Sequence, residues 1–219
     1  MNKSNVLKLN KKDENSLINH GVWSRKCPVG LNRLSKVNIQ YSGFDEVIKN
    51  GEMIVFDVVA PYVIQVFQEL LEKGLQIDKV VPMQHYNGSD EKSMEDNNTS
   101  AYNGRMVSNT DKWSSHAYGM AIDINPIQNP FLKIDRSTGQ VQVIPKSGIK
   151  YINRHSSFAG KVEDVVNVLA KHGFSDWGGS WNDPIDYHHF QIEWEHIMKL
   201  NEMNYDDGMS YYREIIITL

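Results

Sequence analysis

Two stretches of this 219-residue chain concentrate side chains that can bind a metal or move a proton. Residues 114–126, SSHAYGMAIDINP, carry His116 and Asp123; residues 177–191, WGGSWNDPIDYHHFQ, carry Asp186, His188 and His189. Neutral imidazole and carboxylate are ready zinc ligands, and catalytic zinc sites use three protein ligands with water in the open position. Such a water loses its proton near pH ~7 and becomes a nucleophile. A carboxylate within hydrogen-bond reach then takes that proton and delivers it to the leaving amine. The two stretches offer histidines and an aspartate for the metal and a second aspartate for the proton. On a strand, MAIDI turns Ile122 and Ile124 to the core and Ala121 and Asp123 the other way. Asp123 is then a lone acid amid apolar neighbours, which is costly unless it is paired or metal-bound.

Taken singly, each of these residues has a plainer explanation. His116 fits a hydrogen-bonded loop histidine, Asp123 a turn cap before Asn125-Pro126, Gly178-Gly179 a turn, and Trp177 and Trp181 core aromatics. The spacing is also less telling than HExxH, in which both histidines share one helical face. Their joint occurrence carries the reading.

The surrounding pattern is that of one packed unit. Val37, Ile39 and Tyr41 alternate like a half-buried strand, and Met53 to Phe56 form a short apolar run that predicts a second. Val59, Val63, Phe67, Leu70 and Leu71 share a helical face, with Pro61 tolerable in the first turn and Gly74 as the stop. Residues 77–83 read as a strand, 87–98 as a polar surface loop and 131–145 as a hairpin around Ser137-Thr138-Gly139. A second helix is expected over 161–172. Strands and helices do not alternate regularly, so the expected class is α+β, mostly antiparallel sheet with flanking helices.

Composition narrows the function. No apolar run approaches the roughly 18–20 residues of a membrane span, and the single cysteine, Cys27, excludes a disulfide framework or a multi-cysteine metal site. A net charge of −4 gives nucleic-acid binding no global support. Residues 1–40 hold eight Lys and Arg against Asp13 and Glu14, leaving 15 basic against 25 acidic side chains beyond them. Residues 1–21 are therefore expected to be a basic, solvated arm that frays, able to touch an anionic polymer, and 22–219 to be the functional domain. Lys3 and Lys8 interrupt the early apolar patch and no apolar core with a small-residue cleavage site follows, so no signal peptide is visible and export by another route, or a leader already removed, is expected.

The pair S-x-H-x-x-G-x-A-x-D and D-x-x-H-F-Q resembles the zinc D-Ala-D-Ala carboxypeptidase and L-Ala-D-Glu endopeptidase family. That family shares the hedgehog/DD-peptidase fold with vancomycin-resistance dipeptidases and phage endolysins. The first motif is Ser114, His116, Gly119, Ala121 and Asp123; the second is Asp186, His189, Phe190 and Gln191, preceded by WGGSW. NNTSAYNGR (97–105), INPIQNP (124–130) and the CPV at Cys27 add to a likeness covering about residues 22–200. The resemblance implies that His116, Asp123 and His189 bind zinc and that Asp186 is the catalytic acid/base. It implies further that Arg105 stabilises the developing oxyanion, with Ser114 and Trp181 on the substrate side. The expected partner is the peptidoglycan stem peptide and the expected place of action the bacterial cell wall, outside the cell or on release by lysis.

On a regular strand Asp186 and His188 share a face and His189 takes the other. The implied ligand set therefore needs Asp186 in a loop, where Pro184 disfavours pairing, and a strand starting near His188 with His189, Gln191 and Glu193 on the site side. His188 as the ligand is the rival. The motifs do not name the bond that is cut; the L-Ala-D-Glu endopeptidase is slightly favoured over the D-Ala-D-Ala carboxypeptidase. The alternative function is a non-catalytic binding module that keeps zinc. A purely structural zinc fits poorly, since such sites normally have four protein ligands.

Overall fold

A computed structural model describes residues 4–108, 110–135 and 137–218. Asn5–Lys8 form β1 and Lys11–Asn19 form α1, which starts at Asn10; its side chain accepts from the N–H groups of Lys12 and Asp13. Leu34–Ser42 (β2) and Ile48–Phe56 (β3) pair antiparallel, with β1 added to the free side of β2. Val37, Ile39 and Tyr41 alternate inward along β2 as their spacing predicts. Ala60–Glu72 (α2) lies against β2 and buries Val63, Val66, Phe67 and Leu70. Each such side chain contributes about 1.5–3 kcal/mol on full burial. Pro61 sits in the first turn, where its missing N–H costs no helical bond.

The chain then builds three smaller sheets. Lys79–Val80 (β4) runs parallel to Asn98–Thr99 (β5), with Asp90–Glu95 (α3) between them in sequence. Ala121–Asp123 (β6) forms one edge of the site-bearing sheet. Phe131–Ile134 (β7) and Val141–Ile144 (β8) are the expected hairpin. Val166–Lys171 (α4) precedes Asp176–Trp177 (β9), Ile185–Asp186 (β10) and His189–Gln191 (β11). The order β6-β11-β9 makes one antiparallel sheet and β10-β7-β8 another. Trp194–Glu202 (α5) and Tyr205–Thr218 (α6) close the chain, and α6 anchors itself by Tyr212, whose hydroxyl donates to His172 O at 2.8 Å. Among the described residues no helix is long and apolar enough to cross a membrane.

The class is α+β, with several small sheets where the sequence suggested one. Other expectations need correction. Of the basic arm, residues 1–3 lie outside the described residues, but 5–19 form a paired strand and a capped helix instead of fraying. Leu17 is fully buried in the same core as β2 and α2, so the segment is packed onto the rest of the chain. Residues 77–83 contain only the two-residue β4, and Met83 opens a 3-10 turn. Residues 90–95, read as loop, are α3, started by Ser89 accepting from Lys92 N–H. The helix of 161–172 is a 3-10 turn, Glu163–Val165, followed by α4.

Candidate metal centre

His116 is presented by a 3-10 turn, Ser115–Tyr118. Ser114 caps it, its hydroxyl accepting from His116 N–H at 3.3 Å, and Gly119 ends it at φ +70°. Gly119 is needed for a second reason: a Cβ there would lie 2.6 Å from Phe56 N, whose N–H donates to Gly119 O at 2.9 Å. The turn is thereby fastened to the end of β3. His116 is buried, and its Nδ1 lies 2.6 Å from Ala101 O. A carbonyl only accepts, so Nδ1 carries the hydrogen and Nε2 is left with its lone pair.

Asp123 and His189 come from the sheet. Residues directly opposite in an antiparallel pair share a face, and the register sets His189 against Asp123 and Gln191 against Ala121. The backbone of Asp123 is also held from its other side, by two hydrogen bonds with Ser100 of 3.0 and 2.9 Å. As a result Asp123 Oδ1 is 2.9 Å from His189 Nδ1, Asp123 Oδ2 is 3.2 Å from His116 Nε2, and the two imidazole nitrogens are 3.2 Å apart.

This donor set fits a metal ion. Ligand atoms at 2.0–2.2 Å from a tetrahedral zinc are about 3.3–3.6 Å from one another; the His116 and His189 nitrogens, 3.2 Å apart, come close to that spacing, and one donor atom from each of the three residues lies within 4.8 Å of the others. Two imidazoles and a carboxylate converging in a buried space call for positive charge at their centre. Burial opposes a charge on Asp123, yet His116 and His188 hold its carboxyl well below the ordinary carboxylate range. His189 is likewise disfavoured as a cation by burial but raised above its usual value by Asp123 and Asp186.

Asp186 reaches this cluster from a different sheet. It is not in a loop, as expected, but in β10, opposite Phe131 of β7. The chain leaves that pairing at Tyr187 and enters β11 at His189, and this change of sheet is what frees Asp186 and His189 from strand alternation. Asp186 packs directly on the WGGSW turn: a Cβ on Gly178 would lie 2.5 Å from Asp186 O and 2.8 Å from Asp186 Cβ. Its Oδ1 is 3.0 Å from His188 Nε2 but off the line of an aligned hydrogen bond, which leaves that buried oxygen able to take another partner. His188 donates from Nδ1 to Asn129 O at 2.8 Å, and its Nε2 is 3.9 Å from Asp123 Oδ2. Burial lowers its pKa, but Asp186 and Asp123 outweigh that and raise it to about 9. His188, treated from the sequence as a rival ligand, is placed as the neighbour of Asp186 at the rim of the cluster. Glu193, expected on the site side, is exposed just beyond β11 and precedes α5.

The remaining candidates are less simply placed. Arg105 adjoins the His116 turn through its backbone, Ser114 N–H donating to Arg105 O at 3.1 Å. Its guanidinium, however, pairs with Asp90 of α3 and donates to Met106 O at 3.3 Å. Ser114 works through its cap on the His116 turn. Trp181 places its ring 5.4 Å from that of His189 and donates Nε1–H to Asp176 Oδ1 at 2.7 Å. Gln191 lies on the site side with His189, as expected, whereas Asp176 and Ser115 have no counterpart in the sequence reading. His189 Nε2 lies 2.9 Å from Gln191 Oε1 and 3.4 Å from Ser115 Oγ.

With this geometry in hand, residues 108–192 match a protein-family model described as D-alanyl-D-alanine carboxypeptidase. The matched stretch contains both motifs, from Ser114 to Asp123 and from Asp186 to Gln191, and is similar to that peptidase family throughout. Searches of curated proteins and of solved structures returned no match.

Proposed function

We propose that this chain is a zinc-dependent peptidase of the peptide stems of bacterial peptidoglycan, acting at the cell wall, with a hedgehog/DD-peptidase-like arrangement around its site. The observation that carries the reading is the convergence of His116 Nε2, Asp123 and His189 Nδ1 near a second, partly buried carboxylate, Asp186. The match of the segment that holds them all to a carboxypeptidase family supports it.

In this reading His116, Asp123 and His189 hold the metal. Zinc, when bound, supplies Lewis acidity toward the scissile carbonyl and acidifies water at neutral pH. Asp186 accepts a proton at Oδ1, the oxygen without an aligned hydrogen bond, and returns it to the departing amine, and His188, 3.0 Å from that oxygen, steadies the carboxylate as charge comes and goes. Arg105, always charged and rich in donors, is assigned to the developing oxyanion, a role for which its guanidinium must leave Asp90. Trp181, beside the His189 ring, is assigned to the wall on which the stem peptide lies, and Ser114 to holding the His116 turn. Burial of the cluster raises the worth of each of these charges by lowering the local dielectric.

The test is mass spectrometry of purified muropeptides incubated with the protein, with and without a chelator. Chelator-sensitive loss of a terminal alanine identifies a D-Ala-D-Ala carboxypeptidase, the activity in the family's description; a new D-Glu amino terminus identifies the L-Ala-D-Glu endopeptidase that the sequence reading favours. A zinc-loaded protein that leaves every stem peptide intact would overturn the proposal in favour of a binding module.

A further inference from the structure

The site-bearing sheet continues past its candidate ligands in one unbroken line of polar side chains. The register pairs Asp123 of β6 with His189 of β11, and Gln191 of β11 with Asp176 of β9, so these four residues stand on one face. His189 Nε2 meets Gln191 Oε1 at 2.9 Å, Gln191 Nε2 meets Asp176 Oδ2 at 2.8 Å, and Asp176 Oδ1 accepts from Trp181 Nε1–H at 2.7 Å.

We propose that Asp176 is a positioning residue which, acting through the side-chain amide of Gln191, fixes the ring orientation and tautomer of His189. The proposal rests on the metal-site reading only for its consequence, metal affinity.

Indole N–H can only donate, so Trp181 claims one carboxylate oxygen of Asp176 as an acceptor. The other oxygen, also an acceptor, then requires the NH₂ end of Gln191 to face it. That choice turns the Gln191 carbonyl toward His189, where it can only accept. His189 Nε2 is therefore asked for a hydrogen by Gln191, while the Asp123 carboxylate, 2.9 Å from Nδ1, competes for the single hydrogen of the neutral ring. Only with the hydrogen on Nε2 is the Nδ1 lone pair open to a metal. Ser115 Oγ, 3.4 Å from the same nitrogen, is a weaker second acceptor. An amide alone could sit either way round with equal ease; a carboxylate at its far end removes the ambiguity. Groups that orient a ligating histidine in this manner typically change metal affinity by about 10–100-fold when lost.

Two substitutions distinguish this wiring from mere packing. In Asp176→Asn, the side-chain carbonyl at position 176 still accepts from Trp181, but the new NH₂ beside it faces Gln191 and drives its amide to flip. Gln191 then offers NH₂ to His189 Nε2, and the hydrogen of the imidazole moves to Nδ1, against the site. Adding Gln191→Glu to Asp176→Asn restores the order of donors. Trp181 then donates to the amide oxygen at position 176, and the NH₂ of that amide donates to one oxygen of the new carboxylate at position 191. His189 Nε2–H donates to the other oxygen.

The measurement is ¹⁵N NMR of the imidazole nitrogens in metal-free full-length protein carrying Asp123→Ala, which removes the carboxylate competing for the hydrogen at Nδ1. It is made at alkaline pH, with His189 assigned by the signal lost in His189→Ala, and is followed by zinc titration of the proteins with Asp123 intact against a chromophoric chelator. Expected in that background is an Nε2–H tautomer with Asp176 and Gln191 intact, Nδ1–H in Asp176→Asn, and Nε2–H again when Gln191→Glu is added, with zinc affinity about 10–100-fold weaker for Asp176→Asn alone. An unchanged tautomer in Asp176→Asn, or a double variant that stays as altered as the single one, overturns the proposal. If the tautomers follow this pattern but the wild type binds no zinc, the metal-site reading falls and the positioning role of Asp176 stands.

Discussion

Asp123 and His189 stand directly opposite each other on neighbouring strands, and their side chains meet at 2.9 Å. Their separation is therefore set by sheet register, while His116 enters from a turn fastened to a different sheet. Rigid backbone on both sides is what a site needs to hold three ligands at a fixed spacing.

Each of His116→Ala, Asp123→Ala and His189→Ala should lose tightly bound zinc, whereas His188→Ala should keep it. Metal content of the purified variants by plasma mass spectrometry checks this. Loss of zinc in His188→Ala with retention in His189→Ala would reverse the assignment of the two adjacent histidines.

Asp186→Asn should retain zinc at wild-type stoichiometry and lower turnover on muropeptides by ~10²–10⁴, the usual contribution of a positioned general base. Near-normal turnover in this variant would remove Asp186 from the proton-transfer role.

Gly178→Ala tests how Asp186 is seated. The added methyl would collide with the backbone and Cβ of Asp186, not with a movable side-chain end. Such overpacking costs about 1–3 kcal/mol, to be read from urea denaturation. The strain falls on β10, so activity should drop while zinc content is preserved.

The N-terminal segment has a pH signature of its own. Burial pushes the Asp13 carboxyl up, but hydrogen bonds from Lys36 and from Asn10 N–H, with the Lys36 charge, bring it below its usual value. A carboxyl depressed in the folded state stabilises above its unfolded pKa, and that contribution fades as pH falls through the folded value. Asp13→Asn should thus be less stable than wild type by about 1 kcal/mol at neutral pH, the scale of a lost cap or hydrogen bond. The difference should close as the solution is acidified below the ordinary carboxylate range. A gap that does not change with pH would show that the pair contributes nothing through charge.

Much of the core was legible because its signals are local. The alternation of Val37, Ile39 and Tyr41 and the stripe Val63, Phe67 and Leu70 are periodic burial written directly into sequence. β1 was not legible, since all four of its side chains are exposed and only its backbone bonds hold it to β2. α3 is too short to show a helical period, although Ser89 followed by Asp90 and Glu91 is a helix-start signal. At the site, residue types singled out the two stretches, and the resemblance to a peptidase family implied His116, Asp123, His189 and Asp186 within them. They could not show that β10 and β11 belong to separate sheets, that Asp90 would take the Arg105 guanidinium, or that Asp176 would fall opposite Gln191. Those facts depend on register and on contacts distant in sequence.

The central claim is that a metal held by His116, Asp123 and His189 drives hydrolysis of stem peptides. Its most direct test is to strip the protein with a chelator, remove the chelator, and follow muropeptide cleavage while zinc is titrated back into wild type and Asp123→Ala. The account predicts that wild-type activity climbs in proportion to added zinc and levels off at a single equivalent, while Asp123→Ala stays inactive. Cleavage that persists in stripped protein, or a fully loaded wild type that cleaves nothing, would contradict it.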